Sequence, residues 1–175
     1  QSIIEVAMKE QTGVYLKPLT SELYEWFRNL SVNTYAEQSI LAGKMTGEEA
    51  YEYSLNSFTR LLPKGLYTEG HYIYQILLEP VLEQEPESKL IGYIWSAHYP
   101  DQPEHAFIYD FYILECYRGK GYGKQTIKEL STRLRGLGFD HVYLHVYAFN
   151  ERAVHVYRQA GFRTSAHIMF KPLES

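Results

Sequence analysis

Arg118-Gly119-Lys120-Gly121-Tyr122-Gly123-Lys124 sets three glycines among three cations, and His145, Asn150 and Tyr157 follow downstream. Glycine accepts positive φ and lets a ligand approach bare backbone amides. If a helix opens at that turn, its unpaired N–H groups and the positive end of its dipole bind an anion. Arg118, Lys120 and Lys124 add charge, so a phosphate or pyrophosphate is the natural occupant. The second group handles protons. An imidazole such as that of His145 can take one near neutral pH, and a phenol such as that of Tyr157 can give one.

The elements that must position these residues are legible as patterns. Tyr109-Asp110-Phe111-Tyr112-Ile113-Leu114 reads as a strand entering the turn, and Ile127, Leu130, Leu134 and Leu137 mark one face of a helix over 124–137. In Val142-Tyr143-Leu144-His145-Val146-Tyr147 the apolar residues alternate with Tyr143, His145 and Tyr147, a second strand. Asn150 caps a last helix that carries Ala153 and Tyr157 on one face and stops at Gly161.

Upstream, 14–19 reads as a short strand. Leu23, Trp26, Phe27 and Leu30 form a helical stripe running toward Tyr35, and Ala42-Gly43-Lys44 breaks it. Thr46 and Glu49 form a capping box opening a second helix through Leu61, ended by Pro63-Lys64-Gly65. Residues 71–79 and 89–98 read as strands joined by an acidic, proline-bearing surface loop at 79–87. One or two final strands are expected between Arg163 and Leu173. Hairpin-connected strands with segregated helices make an α+β fold around a mixed, mostly antiparallel sheet, with one parallel pair across the glycine-turn helix.

Other occupants of the turn fit less well. A Walker A loop needs Gly four residues before Gly-Lys-Ser/Thr, but position 118 is Arg and Lys124 is followed by Gln125. A dinucleotide fingerprint lacks its third glycine, since position 124 is Lys. A glycine-rich turn that binds nothing stays open at this point.

Arg-x-x-Gly-x-Gly closing a strand, then a helix, a strand, and Asn-x-x-Ala-x-x-x-Tyr-x-x-x-Gly-Phe, resembles the GCN5-related N-acetyltransferase (GNAT) superfamily, densely over 105–162 and more loosely elsewhere. The resemblance implies a three-layer α/β/α fold whose sheet splays at the acetyl-CoA site. It implies acetyl-CoA as co-substrate, no metal, and direct ternary-complex transfer of an acetyl group to a primary amine. On this resemblance Gly119, Lys120, Gly121, Tyr122, Gly123 and Lys124 hold the coenzyme pyrophosphate through their amides. Phe111, Tyr112 and Ile113 pair with the pantetheine arm through the main chain, and Asn150 contacts the coenzyme. Tyr157 matches the residue that protonates the leaving thiolate. Some members place a carboxylate where His145 stands, so His145 is the first base candidate, beside a structural role among tyrosines, and Asp110 is the second.

A base is needed because the acceptor must attack as a neutral amine, and deprotonating a lysine-like ammonium at pH 7 costs roughly 4.6 kcal/mol. Glu115 reads as an exposed turn residue, and Cys116 has no activating histidine beside it to suggest an acyl-cysteine route. In the family the acceptor groove lies between the first two helices and the last strands, where Tyr35, Glu37, Glu48, Glu49 and Glu69 could draw a cation. Small-molecule and peptide amines fit equally. A coenzyme-binding sensor without turnover is the alternative function, and a homodimer through the final strand or a sheet edge is permitted.

The remaining bounds are broad. The 175 residues suit one domain, 1–175, burying about 70% of its unfolded surface. A net charge of -4 without a basic block argues against nucleic acid as a partner. The lone Cys116 excludes an internal disulfide framework and suggests a reducing cytoplasm. No apolar run near 18 residues or signal-peptide core is visible, which argues against a membrane partner, and a chain opening on Gln1 suggests trimmed numbering or a fragment.

Overall fold

The computed structural model describes residues 13–80 and 87–173. Five strands, β1 (Val14–Pro18), β2 (His71–Leu78), β3 (Lys89–Tyr99), β4 (Gln102–Ile113) and β5 (Val142–Leu144), form one sheet in sequence order. Neighbours run antiparallel from β1 to β4, and β5 lies parallel to β4. Four α-helices complete the fold: α1 (Tyr24–Leu41), α2 (Gly47–Leu61), α3 (Tyr122–Gly136) and α4 (Glu151–Gln159). No helix among the described residues is long and apolar enough to cross a membrane.

Strand alternation divides the apolar residues between two cores, one on each face of the sheet. Tyr93 and Trp95 point to the face covered by Phe27 and Val32 of α1 and Phe58 of α2. Ile94, between them, points to the opposite face with Ile127, Leu130 and Leu134 of α3. Helices therefore cover both faces, giving the expected three layers. Phe27 anchors the first core edge-on against Tyr93 at 4.9 Å and Trp95 at 5.8 Å. Burying a ring this fully stabilises by about 1.5–3 kcal/mol, before the edge-to-face contribution.

The Thr46 capping box forms as read. Glu49 accepts from the Thr46 backbone N–H at 3.3 Å and its hydroxyl at 2.7 Å. Two expectations change, and a third lies beyond what is described. The strand expected over 142–147 stops at Leu144, so the alternation of Tyr143, His145 and Tyr147 is not carried by a ladder throughout. The strands expected between Arg163 and Leu173 are absent: that segment has no regular structure, and Ile168 and Phe170 are 89% and 87% exposed. Its apolar alternation finds no strand beside it, and a strand needs a neighbour's ladder. The acidic loop falls, over 81–86, outside the described residues, as does the amino end up to residue 12.

Two features of β3 and β4 shape what lies beyond. Trp95 pairs with Asp110 but Ser96 with Ile108, so Tyr109 is an extra residue in β4, a bulge. At Gly92 the strands approach so closely that a Cβ would stand 2.0 Å from the Tyr112 carbonyl oxygen and 3.0 Å from Ile113 Cα. Backbone cannot step aside as a side chain can. Gly92→Ala is therefore expected to destabilise by about 1–3 kcal/mol or more, read as a lowered urea midpoint with an unchanged slope.

Candidate functional site

The glycine turn sits where the sequence places it, between a 3-10 turn (Glu115–Tyr117) and the start of α3. Gly119 has φ +74° and Gly121, the residue capping α3, φ +85°. Side chains with a Cβ rarely adopt either value, so both glycines are demanded by the path of the chain. No side chain caps this helix, and its first turn holds no acidic residue. Its opening N–H groups and dipole end are therefore left for an outside anion.

The cations divide into two kinds. Arg118 donates from Nε to the Ile113 carbonyl oxygen at 2.7 Å, and its guanidinium lies 5.0 Å from the centre of the Tyr112 ring. It thus pins the turn to the end of β4. Lys120 and Lys124 are exposed, the Lys120 ammonium lying 5.8 Å from the centre of the Tyr117 ring. Arg152, which the spacing argument did not single out, comes beside the turn: a Cβ on Gly119 would stand 3.5 Å from its Nη2. Its position inside the Asn150-to-Ala153 motif, two residues past the cap, was the available signal. Gly123 serves packing, since a Cβ there would meet Val156 Cγ1 of α4 at 2.9 Å.

The sheet opens beside this turn. β4 and β5 pair only from Ala106 with Val142 to Ile108 with Leu144. Beyond the Tyr109 bulge β4 continues to Ile113 with β3 on one edge alone, so Phe111, Tyr112 and Ile113 have no ladder on the edge facing β5 among the described residues. Backbone donors and acceptors on that edge need a partner.

Two titratable groups with raised pKa values flank β4 here, one on each face of the sheet. Tyr157 of α4 packs with Phe111 and Phe162, ring centres 6.3 and 5.6 Å away. Burial, reinforced by the negative charge of Asp110, pushes its phenol well above the usual tyrosine range. It is a donor at any ordinary pH. Asp110, on the α1/α2 side, accepts from the Tyr93 hydroxyl at 2.6 Å. Burial raises its carboxyl above the ordinary aspartate value, against hydrogen bonds from Tyr93, Ser31 and the Phe111 backbone that pull it down. Such a carboxylate holds a proton more readily than a solvated one.

The other candidates lie around this centre. Asn150 does cap α4: its Oδ1 accepts from the Ala153 N–H at 3.2 Å, which leaves its NH₂ as the remaining donor. His145 is exposed just past the end of β5, with its ring edge-on to Tyr147 at 5.1 Å. Tyr147 belongs to an aromatic wall. Lys44 from the α1–α2 connection holds its ammonium 5.0 Å from the Tyr147 ring centre, and Phe149 stacks on Tyr147 at 5.2 Å. Tyr35 stacks on Tyr53 at 6.4 Å, and its phenol is raised by burial and by Tyr53 and Tyr147 nearby. Glu37, Glu48 and Glu69 are exposed, while Glu49 is engaged by its cap. Exposed Cys116 and Glu115 lie in the 3-10 turn.

Comparison with known proteins places this arrangement. Residues 3–162 match the model of the acetyltransferase (GNAT) family. The chain is similar to the uncharacterized N-acetyltransferase YycN of Bacillus subtilis (strain 168), 35% identical over 161 residues, which are 91% of this chain and 99% of that one. The crystal structure of YycN gives a TM-score of 0.81 at 34% identity, covering 93% and 99% of the two chains. The uncharacterized N-acetyltransferase YdgE of the same organism is 34% identical over 90% of this chain and 97% of its own. A crystal structure of spermidine N-acetyltransferase from Vibrio cholerae, in complex with CoA and spermine, shares the fold at a TM-score of 0.63 and 19% identity, covering 89% and 83%.

Proposed function

We propose, from the premise that this chain belongs to the acetyltransferase (GNAT) family and is an N-acetyltransferase, that it moves an acetyl group from acetyl-CoA to a primary amine by direct transfer within a ternary complex. The observation that carries this reading is the ladder-free edge of β4, flanked by the uncapped start of α3 and by a half-buried phenol. Those features fit a ligand with a diphosphate, an extended amide-bearing arm and a thioester.

Each residue then has a task. Amides from Gly119 to Lys124 hold the pyrophosphate, with Lys120, Lys124 and Arg152 around it. The β4 edge at Phe111, Tyr112 and Ile113 pairs with the pantetheine arm, and Asn150 offers its NH₂. A β4 N–H aimed at the thioester oxygen stabilises the charge that develops there, a contribution of about 3–4 kcal/mol in comparable acyl transfers. Asp110 takes the proton that the attacking nitrogen sheds. It suits the role better than exposed His145 because it is half-buried, its carboxyl is raised, and its charge acts on Tyr157. Tyr157 gives its proton to the departing thiolate.

The acceptor enters from the α1/α2 side. Tyr35, Tyr53 and Tyr147 line that approach with ring faces, one of which already attracts the Lys44 ammonium. A cationic amine, as in the polyamine complex of the Vibrio cholerae structure, fits that wall. One exposed cysteine suits a reducing cytoplasm.

Calorimetry with coenzyme A and acetyl-CoA, followed by thiol release with a panel of polyamines, amino sugars and peptide amines, tests the reading. Saturable binding with turnover on at least one primary amine is expected. Gly121→Val should abolish the binding heat while the fold survives, because valine cannot hold φ +85° at the cap of α3. Binding without turnover on any amine would leave a coenzyme sensor instead.

A further inference from the structure

At the other end of the β4–β5 pair, away from the opening, a second constellation of ligating side chains has no part in acetyl transfer. Ala106 opposite Val142 is the first rung of the parallel pair, and the Ala106 N–H donates to the His141 carbonyl oxygen at 2.9 Å. One step back from that rung, His105 and His141 stand side by side, ring centres 4.8 Å apart. Asp140 completes the group. Its Oδ1 lies 2.5 Å from His105 Nδ1 and 3.1 Å from His141 Nδ1. The three ligand atoms all fall within 4.8 Å of one another.

We propose that His105, Asp140 and His141 bind a divalent transition-metal ion, Zn²⁺ by donor chemistry, and so clamp the closed end of the β4–β5 pair. Two imidazoles and one carboxylate are a borderline-soft donor set that suits Zn²⁺, Co²⁺ or Ni²⁺ and not Mg²⁺ or Ca²⁺. Bonds of about 2.0–2.2 Å in tetrahedral geometry put donor atoms roughly 3.3 Å apart, inside the range these atoms already span. Three protein ligands leave one position for water.

Neighbouring groups support the assignment. His105 lies within β4, and the bond from the Ala106 N–H holds the His141 carbonyl beside it, so both histidines adjoin the first rung of the pair. Tyr143 lies beside both rings, 5.5 Å from His105 and 6.4 Å from His141, and limits their rotation. For Nδ1 of His105 to offer its lone pair, the ring proton must sit on Nε2. There Glu104 Oε1 stands 3.9 Å away, placed to become the outer carboxylate that orients a metal-bound histidine. The strands part three rungs beyond this point, so an ion here braces the base of the opening between β4 and β5. The inference stands apart from the acetyl-transfer reading and can hold or fall without it.

Zn²⁺ titration of the tag-free protein by calorimetry, with Co²⁺ as a visible probe, tests it. One equivalent of Zn²⁺, a tetrahedral Co²⁺ d–d band and a melting temperature that climbs with Zn²⁺ concentration are expected. His105→Ala and His141→Asn should each weaken Zn²⁺ at least tenfold and remove the band. His141 is 63% exposed against 14% for His105, so His141→Asn reports even if the other variant folds poorly. Cys116→Ser and His155→Ala, on other exposed candidates, should leave the binding as it was. No saturable Zn²⁺ binding by the native chain, or binding of unchanged affinity in His141→Asn, overturns the proposal.

Discussion

Tyr157→Phe is expected to lower kcat by about 10²- to 10⁴-fold while leaving the affinity for coenzyme A unchanged. The substitution removes one oxygen and keeps the ring that packs with Phe111 and Phe162, so the fold and the α4 face stay in place. On the proposed role, what disappears is the proton for the leaving sulfur. Since burial and the Asp110 charge hold the native phenol protonated well past the usual tyrosine range, the native enzyme should keep its donor to high pH. The variant should be rescued in part by an acyl donor whose thiol is acidic enough to leave unaided, such as an aryl thioester. A packing role alone predicts a kcat within a few fold of native, and equal losses with both donors.

Spacing alone puts Tyr157 on one face of α4 with Ala153, and the family resemblance gives it the donor's role; the elements around the site are legible more directly. The strand, glycine turn and helix from Tyr109 to Gly136 were readable because each is local: alternation, positive-φ glycine and three-to-four periodicity act over neighbouring residues. The Thr46–Glu49 box and the Asn150 cap were readable for the same reason. The illegible features depend on contacts between distant segments. Gly92 looks like any strand glycine until β4 crosses it at Tyr112, and Tyr109 is a bulge only in relation to Trp95 and Ser96. Arg152 reaches Gly119 across two helix starts, and His105 meets Asp140 across 35 positions that carry no recurring ligand spacing. The tail fails in the opposite direction. Ala166, Ile168 and Phe170 have the right local pattern, but pattern cannot supply a neighbouring ladder. His145 shows the same limit, since its strand ends one residue before it.

Asp110→Asn should make the protein slower and more stable at once. If Asp110 receives the proton from the attacking amine, asparagine, which cannot, should cost about 10²- to 10⁴-fold in kcat. Its amide oxygen can still accept from the Tyr93 hydroxyl, now 2.6 Å from Asp110 Oδ2, so the local geometry survives. Stability moves the other way, for a reason of sign. Burial raises the folded-state pKa of Asp110, so the native state binds its proton more tightly than the unfolded chain does. Stability from this group is fully present below the unfolded value of 3.8 and is lost as pH climbs through the window up to the raised folded value. At neutral pH the native enzyme therefore carries a buried charge that the variant lacks. The melting temperature of Asp110→Asn relative to native should rise across that window and stay higher above it. With a weakly basic amine acceptor, which is already neutral, the native rate should increase through a single ionisation above the ordinary aspartate value, and the variant should lose that limb. A variant that is stabilised yet retains native kcat and pH profile would reduce Asp110 to a tolerated buried acid and return the proton to His145 or to water.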